Sequence, residues 1–165
     1  MLASTWSVAL VGVEGRMVQV EADIGGGLPK TILVGLPDAA LYQSRDRCKA
    51  AVANSGHTWP VALLTINLSP ATLPKAGSHY DLAIAAAVLA ASGVVPLDAL
   101  SRTALLGELG LDGRLRPVPG VLPATLAAEW VRDHPTGPVR VRIDAIGIVL
   151  QSGQEPSLTH ARGVG

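Results

Sequence analysis

Residues 82–91, LAIAAAVLAA, form the longest uninterrupted apolar run in the chain. The run is half the roughly 20 residues that a bilayer span requires, so it predicts a buried helix, not a membrane anchor. Alanines at 83, 86, 87 and 90 keep that helix narrow, which lets it lie very close to a sheet, and Gly93 supplies its stop. The composition agrees: with no Phe, 3 Trp and 2 Tyr in 165 residues, the core must be filled by Ala, Val, Leu and Ile. Aromatic platforms for stacking single-stranded bases are scarce for the same reason.

Residues 5–13 and 16–24 alternate apolar and polar side chains on either side of Glu14-Gly15, which predicts a hairpin turning there. Glycines 25–27 and Leu28-Pro29 break the chain before a third strand at 31–34. Pro37 and Asp38 open a helix that runs to Ala53 and stops at Asn54-Ser55-Gly56. Its apolar side carries Leu41, Cys48 and Val52, while Arg45, Asp46, Arg47 and Lys49 lie largely around the other side, as on a solvated face. Residues 61–68 are nearly continuously apolar, as a strand covered on both faces would be. Past the alanine-rich helix, 103–106 reads as a strand, 111–114 as a hairpin turn with a D-G signal, and 121–131 as a third helix. Residues 139–143 and 146–150 read as short strands, and 151–165 lacks periodicity and reads as a loose tail. Together these predict one α+β domain, a mixed sheet with helices mainly on one face.

Thirteen Lys and Arg balance thirteen Asp and Glu, for a net charge of +0, so any nucleic-acid contact must be local. Charged residues make up 16%, below the roughly 25% of ordinary domains, which argues against disorder. The single cysteine, Cys48, cannot form an internal disulfide or a thiolate cage, and this fits a reducing cytoplasm. The N-terminus lacks the basic stretch, apolar run and cleavage site of a signal peptide. His57, His79, His134 and His160 are far apart and match no metal-ligand spacing. The segment Gly25-Gly26-Gly27-Leu28-Pro29-Lys30-Thr31 has the flavour of a phosphate-binding loop. However, Pro29 stands where the last glycine must be, and the segment joins two strands instead of a strand and a helix. The expectation is a chain without cofactor or metal.

The most informative segment is Leu73-Pro74-Lys75-Ala76-Gly77-Ser78-His79-Tyr80-Asp81. Ser78 and Asp81 have the S-x-x-D spacing of a helix cap, and a Gly-Ser turn with Lys75 nearby can hold an anion at a helix start. Two alternatives stay open, a cap alone and a cap that also contacts an anion. Candidate DNA or anion contacts are therefore Lys75, Ser78 and His79, with Arg45 and Lys49 as a weaker basic stripe.

Four stretches resemble a known family: VGLPDAALYQSRDR at 34–47, AVANSG at 51–56, LTINLSPATLPKAGSHYDLAIAAAVLAASG at 64–93 and LLGELGLDGRLRPVPGVLPA at 105–124. They are similar to the N-terminal domain of the YifB/ComM magnesium-chelatase-like AAA ATPases and cover most of residues 5–128 in unbroken order. The resemblance implies a ribosomal-protein-S5 domain-2-like fold, shared with the proteolytic domain of Lon. It implies that the domain normally precedes an ATP-hydrolysing module using ATP and Mg. It further implies a family role as a hexameric DNA motor for branch migration in natural transformation, and the short apolar run and the N-terminus independently lead to the expectation of a cytoplasmic chain with no membrane partner. Implied partners are DNA, like subunits and the AAA module.

No Walker A follows Ala128, so this chain is expected to be a non-catalytic, truncated form, not an enzyme. Lon's catalytic serine would fall on His79 and its catalytic lysine on Ala124, so the peptidase dyad is missing and Ser78 has no lysine partner on that helix. The alternatives carried are a protein-binding adaptor or subunit-contact domain with no DNA role, and a cryptic serine hydrolase using Ser78. The resemblance stops after Ala128, where the family pattern calls for a strand ending V-V-V-P and an N-x-x-E-A helix start. Residues 133–138, DHPTGP, and then VRVRIDA stand there instead. The expected organisation is thus a domain at 1–131 and a divergent or truncated, partly disordered segment at 132–165.

Overall fold

The computed structural model describes residues 1–11, 14–101, 103–116, 118, 144–149 and 157–162. Its centre is a four-stranded mixed sheet in the order β1-β2-β4-β3. Strands β1 (Leu2–Val11) and β2 (Glu14–Gly25) pair antiparallel, β2 pairs antiparallel with β4 (Leu63–Ser69), and β3 (Lys30–Val34) runs parallel to β4. The parallel pair is joined by helix α1 (Ala39–Asn54), and β4 leads into α2 (Asp81–Ala91). A short helix α3 (Leu97–Leu100) and the two-residue strands β5 (Glu108–Leu109) and β6 (Leu115–Arg116) follow. Strands β7 (Asp144–Val149) and β8 (Ser157–Arg162) form a separate antiparallel pair.

The period of two decides which sheet face is covered. Ala3, Thr5 and Ser7 stand opposite Ala22, Val20 and Val18, and Ala22 and Val20 stand opposite Ile66 and Leu68, so these side chains share one face. All of them are buried. The neighbouring positions, Gln19, Glu21, Thr65 and Asn67, form the other face and keep partial exposure, with Asn67 donating from Nδ2 to Glu21 at 2.7 Å. Helix α2 packs against β1 and β2, as its small residues foretell. Ala83, Ile84, Ala87 and Val88 have no accessible surface, and burying a side chain such as Ile84 is worth about 1.5–3 kcal/mol. Helix α1 packs on α2 through Leu41, Cys48, Ala51 and Val52.

Several sequence expectations change. The β1–β2 ladder continues past Glu14-Gly15, with Val11 opposite Glu14 and Leu10 opposite Gly15, so the connection falls between Val11 and Glu14. Ladder hydrogen bonds outweigh the turn preference of one Glu-Gly pair. Pro37 lies outside α1, and Asp38 is the cap, its Oδ1 accepting the Leu41 N–H at 2.7 Å. Strand β4 is buried only at Leu64, Ile66 and Leu68, so its apolar run reflects one covered face, not two. Residues 103–106 form no extended strand: only Ala104 bridges Trp6, and the next residues turn to serve α2. Gly107 accepts from the Leu82 N–H at 3.0 Å and donates to the His79 carbonyl at 2.9 Å. The D-G turn is present, with Gly113 at φ +81° between β5 and β6. Strand β8 occupies part of the stretch read as a loose tail, and β7 begins two residues earlier than the expected strand. The expected helix at 121–131 and strand at 139–143 lie outside the described residues. Among those described, no helix is long and apolar enough to cross a membrane.

Candidate functional site

Two loops leave the carboxyl ends of β3 and β4, and they are stitched to each other. The first, Gly35-Leu36-Pro37-Asp38, turns sharply through two left-handed residues, Gly35 at φ +102° and Leu36 at φ +59°. A Cβ at position 35 would overlap the Leu68 carbonyl oxygen, so only glycine fits there. Leu36, with a side chain that disfavours this backbone region, is held in it while 57% exposed. The second loop runs alongside: Asp38 N–H donates to the Lys75 carbonyl at 3.1 Å, and Lys75 N–H to the Leu36 carbonyl at 3.5 Å.

The Lys75 side chain closes the stitch from inside. It is 1% exposed, and its ammonium donates to the Gly35 carbonyl at 2.8 Å and to the Pro70 carbonyl. Burial lowers its pKa from the ordinary lysine value. The residue that sequence reasoning ranked first as a DNA contact is thus placed in the interior, its charge aimed at backbone carbonyls.

Its companions are also engaged. Ser78 does not cap α2; its Oγ donates to Glu108 Oε2, and Tyr80 holds the cap position without a side-chain bond. The His79 ring is buried, and its Nε2 lies 2.8 Å from the Val8 carbonyl, so Nε2 carries the proton that the carbonyl accepts. Burial pushes the His79 pKa down, against the smaller opposing effects of the Val8 bond and the Asp81 charge. The neighbouring Tyr80 hydroxyl is buried without a partner among the described residues, and burial raises its pKa, with Asp38 adding to the rise.

Asp81, the acid in an otherwise apolar helix, has no accessible surface. Arg47 meets it bidentately, Nε to Oδ2 at 2.8 Å and a terminal nitrogen to Oδ1 at 3.1 Å, and the Leu109 N–H adds a bond at 3.2 Å. The hydrogen bond to Asp81 raises the Arg47 pKa. Burial raises the Cys48 thiol pKa, and its Sγ donates to the Asp81 carbonyl at 3.3 Å. Sequence reasoning missed the Arg47–Asp81 pair by placing Arg47 in a solvated charge run. The available signal was Asp81 itself, since an acid beside a ten-residue apolar run needs a cation.

The remaining candidates lie on α1. Arg45 pairs with Asp46 through bonds of 2.9 and 3.1 Å, which raises its pKa. Lys49 is exposed and forms no ion pair among the described residues. The structure therefore gathers Lys75, Ser78 and His79 at one end of the sheet with their polar groups occupied, and leaves Lys49 as a cation open to solvent. Among the described residues no three His, Cys, Asp or Glu groups are placed to hold a metal. Residues 25–31 do not fit a nucleotide's phosphates in the manner of a phosphate loop, since they join β2 to β3 and Pro29 lacks an N–H.

Residues 20–134 match the family described as subunit ChlI of Mg-chelatase. Relatives include a protein of Mycobacterium tuberculosis, 62% identical over 128 residues that span 78% of this chain and 25% of the relative. They include YifB of Escherichia coli, 45% identical over 120 residues, 73% of this chain and 24% of the relative. The competence protein ComM of Haemophilus influenzae is 41% identical over 128 residues, 78% of this chain and 25% of the relative. The chain belongs to the magnesium-chelatase-like YifB/ComM family. It corresponds to the N-terminal region and spans about a quarter of the length of these relatives. The loops stitched by Lys75 are the VGLPD and LPKAG segments of the family resemblance.

Proposed function

We propose that this YifB/ComM chain is a non-catalytic domain of the ribosomal-protein-S5 domain-2-like, Lon-like type, working in the cytoplasm. Its task is to contact DNA on behalf of a ComM/YifB-type ATPase, in which ATP and Mg serve the motor module. The observation that carries this reading is the similarity of 41–62% over 120–128 residues to YifB, ComM and the mycobacterial relative. Binding of this chain to DNA, measured as salt is raised, tests it: neutralised phosphates release counterions, so affinity should fall steeply with salt.

Salt-independent or absent binding would favour the second reading, a contact domain for like subunits or for the AAA module. The exposed apolar residues Leu36 and Tyr42, beside the stitched loops, support that reading. The serine-hydrolase alternative is weakened by geometry. His79 Nε2 faces the Val8 carbonyl and the Lys75 ammonium is held by two carbonyls, so neither supplies the base, and the Ser78 Oγ proton is directed only to the weakly basic Glu108 carboxylate. No labelling by a serine-reactive phosphonate, and no ATP turnover above a tag-only control, are the expected results.

A further inference from the structure

The opposite end of the parallel strand pair holds a shallow cleft of about 160 Å³, lined by Pro29, Lys30, Thr31, Lys49, Trp59 and Pro60 among others. Its two lysines come from different elements, Lys30 from the first position of β3 and Lys49 from α1. Both are exposed, and neither forms an ion pair among the described residues. No acid lines the cleft. The nearest acid on α1, Asp46, is hydrogen-bonded by the Arg45 guanidinium and feels the Lys49 charge without a hydrogen bond from it. Two like charges on one cleft with no acid among its lining residues make an arrangement that an anionic ligand relieves.

A third donor faces the same space. Trp59, buried, donates its Nε1–H to Thr31 Oγ1 at 3.4 Å, and that bond occupies a lone pair of the hydroxyl while leaving its hydrogen free. Two ammonium groups and one hydroxyl suit a tetrahedral oxyanion. The size of the cleft narrows the source. At about 160 Å³ it is smaller than the roughly 300–1,000 Å³ of sites that enclose a small molecule, so it accommodates a phosphate and not a whole nucleotide. The rim is apolar, with Val61 80% exposed beside Pro60, and carries no opposing charge.

We infer that Lys30, Lys49 and Thr31 form a docking point for a backbone phosphate of nucleic acid lying across this cleft. The inference rests on the DNA-contact reading above and says where the contact is made. It replaces the Lys75 end with the Lys30–Lys49 end, and Lys30 acts through its side chain, without the backbone cradle of a phosphate loop.

The test is fluorescence anisotropy of a labelled single-stranded oligonucleotide with the full 165-residue chain, over about 50–200 mM salt. The wild type is compared with Lys30→Ala/Lys49→Ala and with Arg114→Ala/Arg116→Ala, which removes two charges of the same sign elsewhere. The inference expects about a tenfold loss of affinity at low salt for the lysine pair and a slope shallower by roughly 0.7 per lysine, with the arginine pair close to wild type. Thermal melts confirm that each variant is folded. Binding that is unchanged in the lysine pair, or equally weakened in the arginine pair, overturns the cleft and leaves DNA contact standing. No binding by the wild type overturns both. Displacement of the oligonucleotide by an equal phosphate concentration of mononucleotide would assign the cleft to a free nucleotide and overturn the backbone assignment.

Discussion

The two ends of the β3–β4 pair use lysine in opposite ways. At the carboxyl end, Lys75 is 1% exposed and spends its donors on the Gly35 and Pro70 carbonyls, so its charge holds two loops together. At the amino end, Lys30 and Lys49 are exposed and have no ion-pair partner among the described residues. A lysine beside a helix start is therefore no sign of an anion site until its donors are counted. Two segments of the family resemblance, VGLPD and LPKAG, meet at the closed end, where the Lys75 side chain is occupied by the fold.

The largest expected effect breaks the closed end at its tightest point. Gly35→Ala places a Cβ against the Leu68 carbonyl and strains a backbone at φ +102°, so it should cost about 4 kcal/mol or more and leave little folded protein by circular dichroism. Next is Arg47→Ala, which strands the Asp81 carboxylate without accessible surface. A loss of about 3–5 kcal/mol in urea unfolding is expected, and Asp81→Asn in the same background should recover part of it. Gly77→Val should also destabilise, by about 1–3 kcal/mol, because residue 77 sits at φ +98° with the His79 ring 3.2 Å from where a Cβ would lie.

The smallest of these effects is a pH dependence. Burial lowers the folded pKa of His79 below its unfolded value near 6.5, so the unfolded chain binds more protons in that window. The stability associated with neutral His79 is present above pH about 6.5 and is lost as pH falls from there through the folded pKa. His79→Gln keeps a donor for the Val8 carbonyl and should flatten the slope of unfolding free energy below pH about 6.5. An unchanged slope would mean that another group carries it.

The sequence made the scaffold legible because the scaffold depends on periodicity and small residues. Alternation marked β1 and β2, the alanine-rich run marked α2, Pro37-Asp38 marked where α1 starts, and the D-G pair marked a turn that forms as expected. The site was less legible because its decisive contacts are non-local. Lys75 meets a carbonyl 40 residues away and Arg47 meets an acid 34 residues away, and no local pattern encodes either. The S-x-x-D spacing misled for a related reason: Glu108 and Arg47, brought in from elsewhere in the chain, take the two side chains a cap would use. Lys30 was set aside with the glycine segment it follows, since that segment fails as a phosphate loop. Lys30 and Lys49 line one cleft only once α1 has packed back on β3.

The division between a closed end and an open end is tested most directly by comparing the melting temperature of Lys75→Met with that of Lys30→Ala/Lys49→Ala in one buffer. Methionine removes the ammonium and leaves the Gly35 and Pro70 carbonyls short of a donor, for about 2–3 kcal/mol and a fall of roughly 5–10 °C. Two exposed lysines with no ion-pair partner should together change stability by no more than about 0.5 kcal/mol and leave the midpoint within about 2 °C of wild type. Equal midpoints for the two variants, or a larger fall in the Lys30/Lys49 pair, would contradict the account.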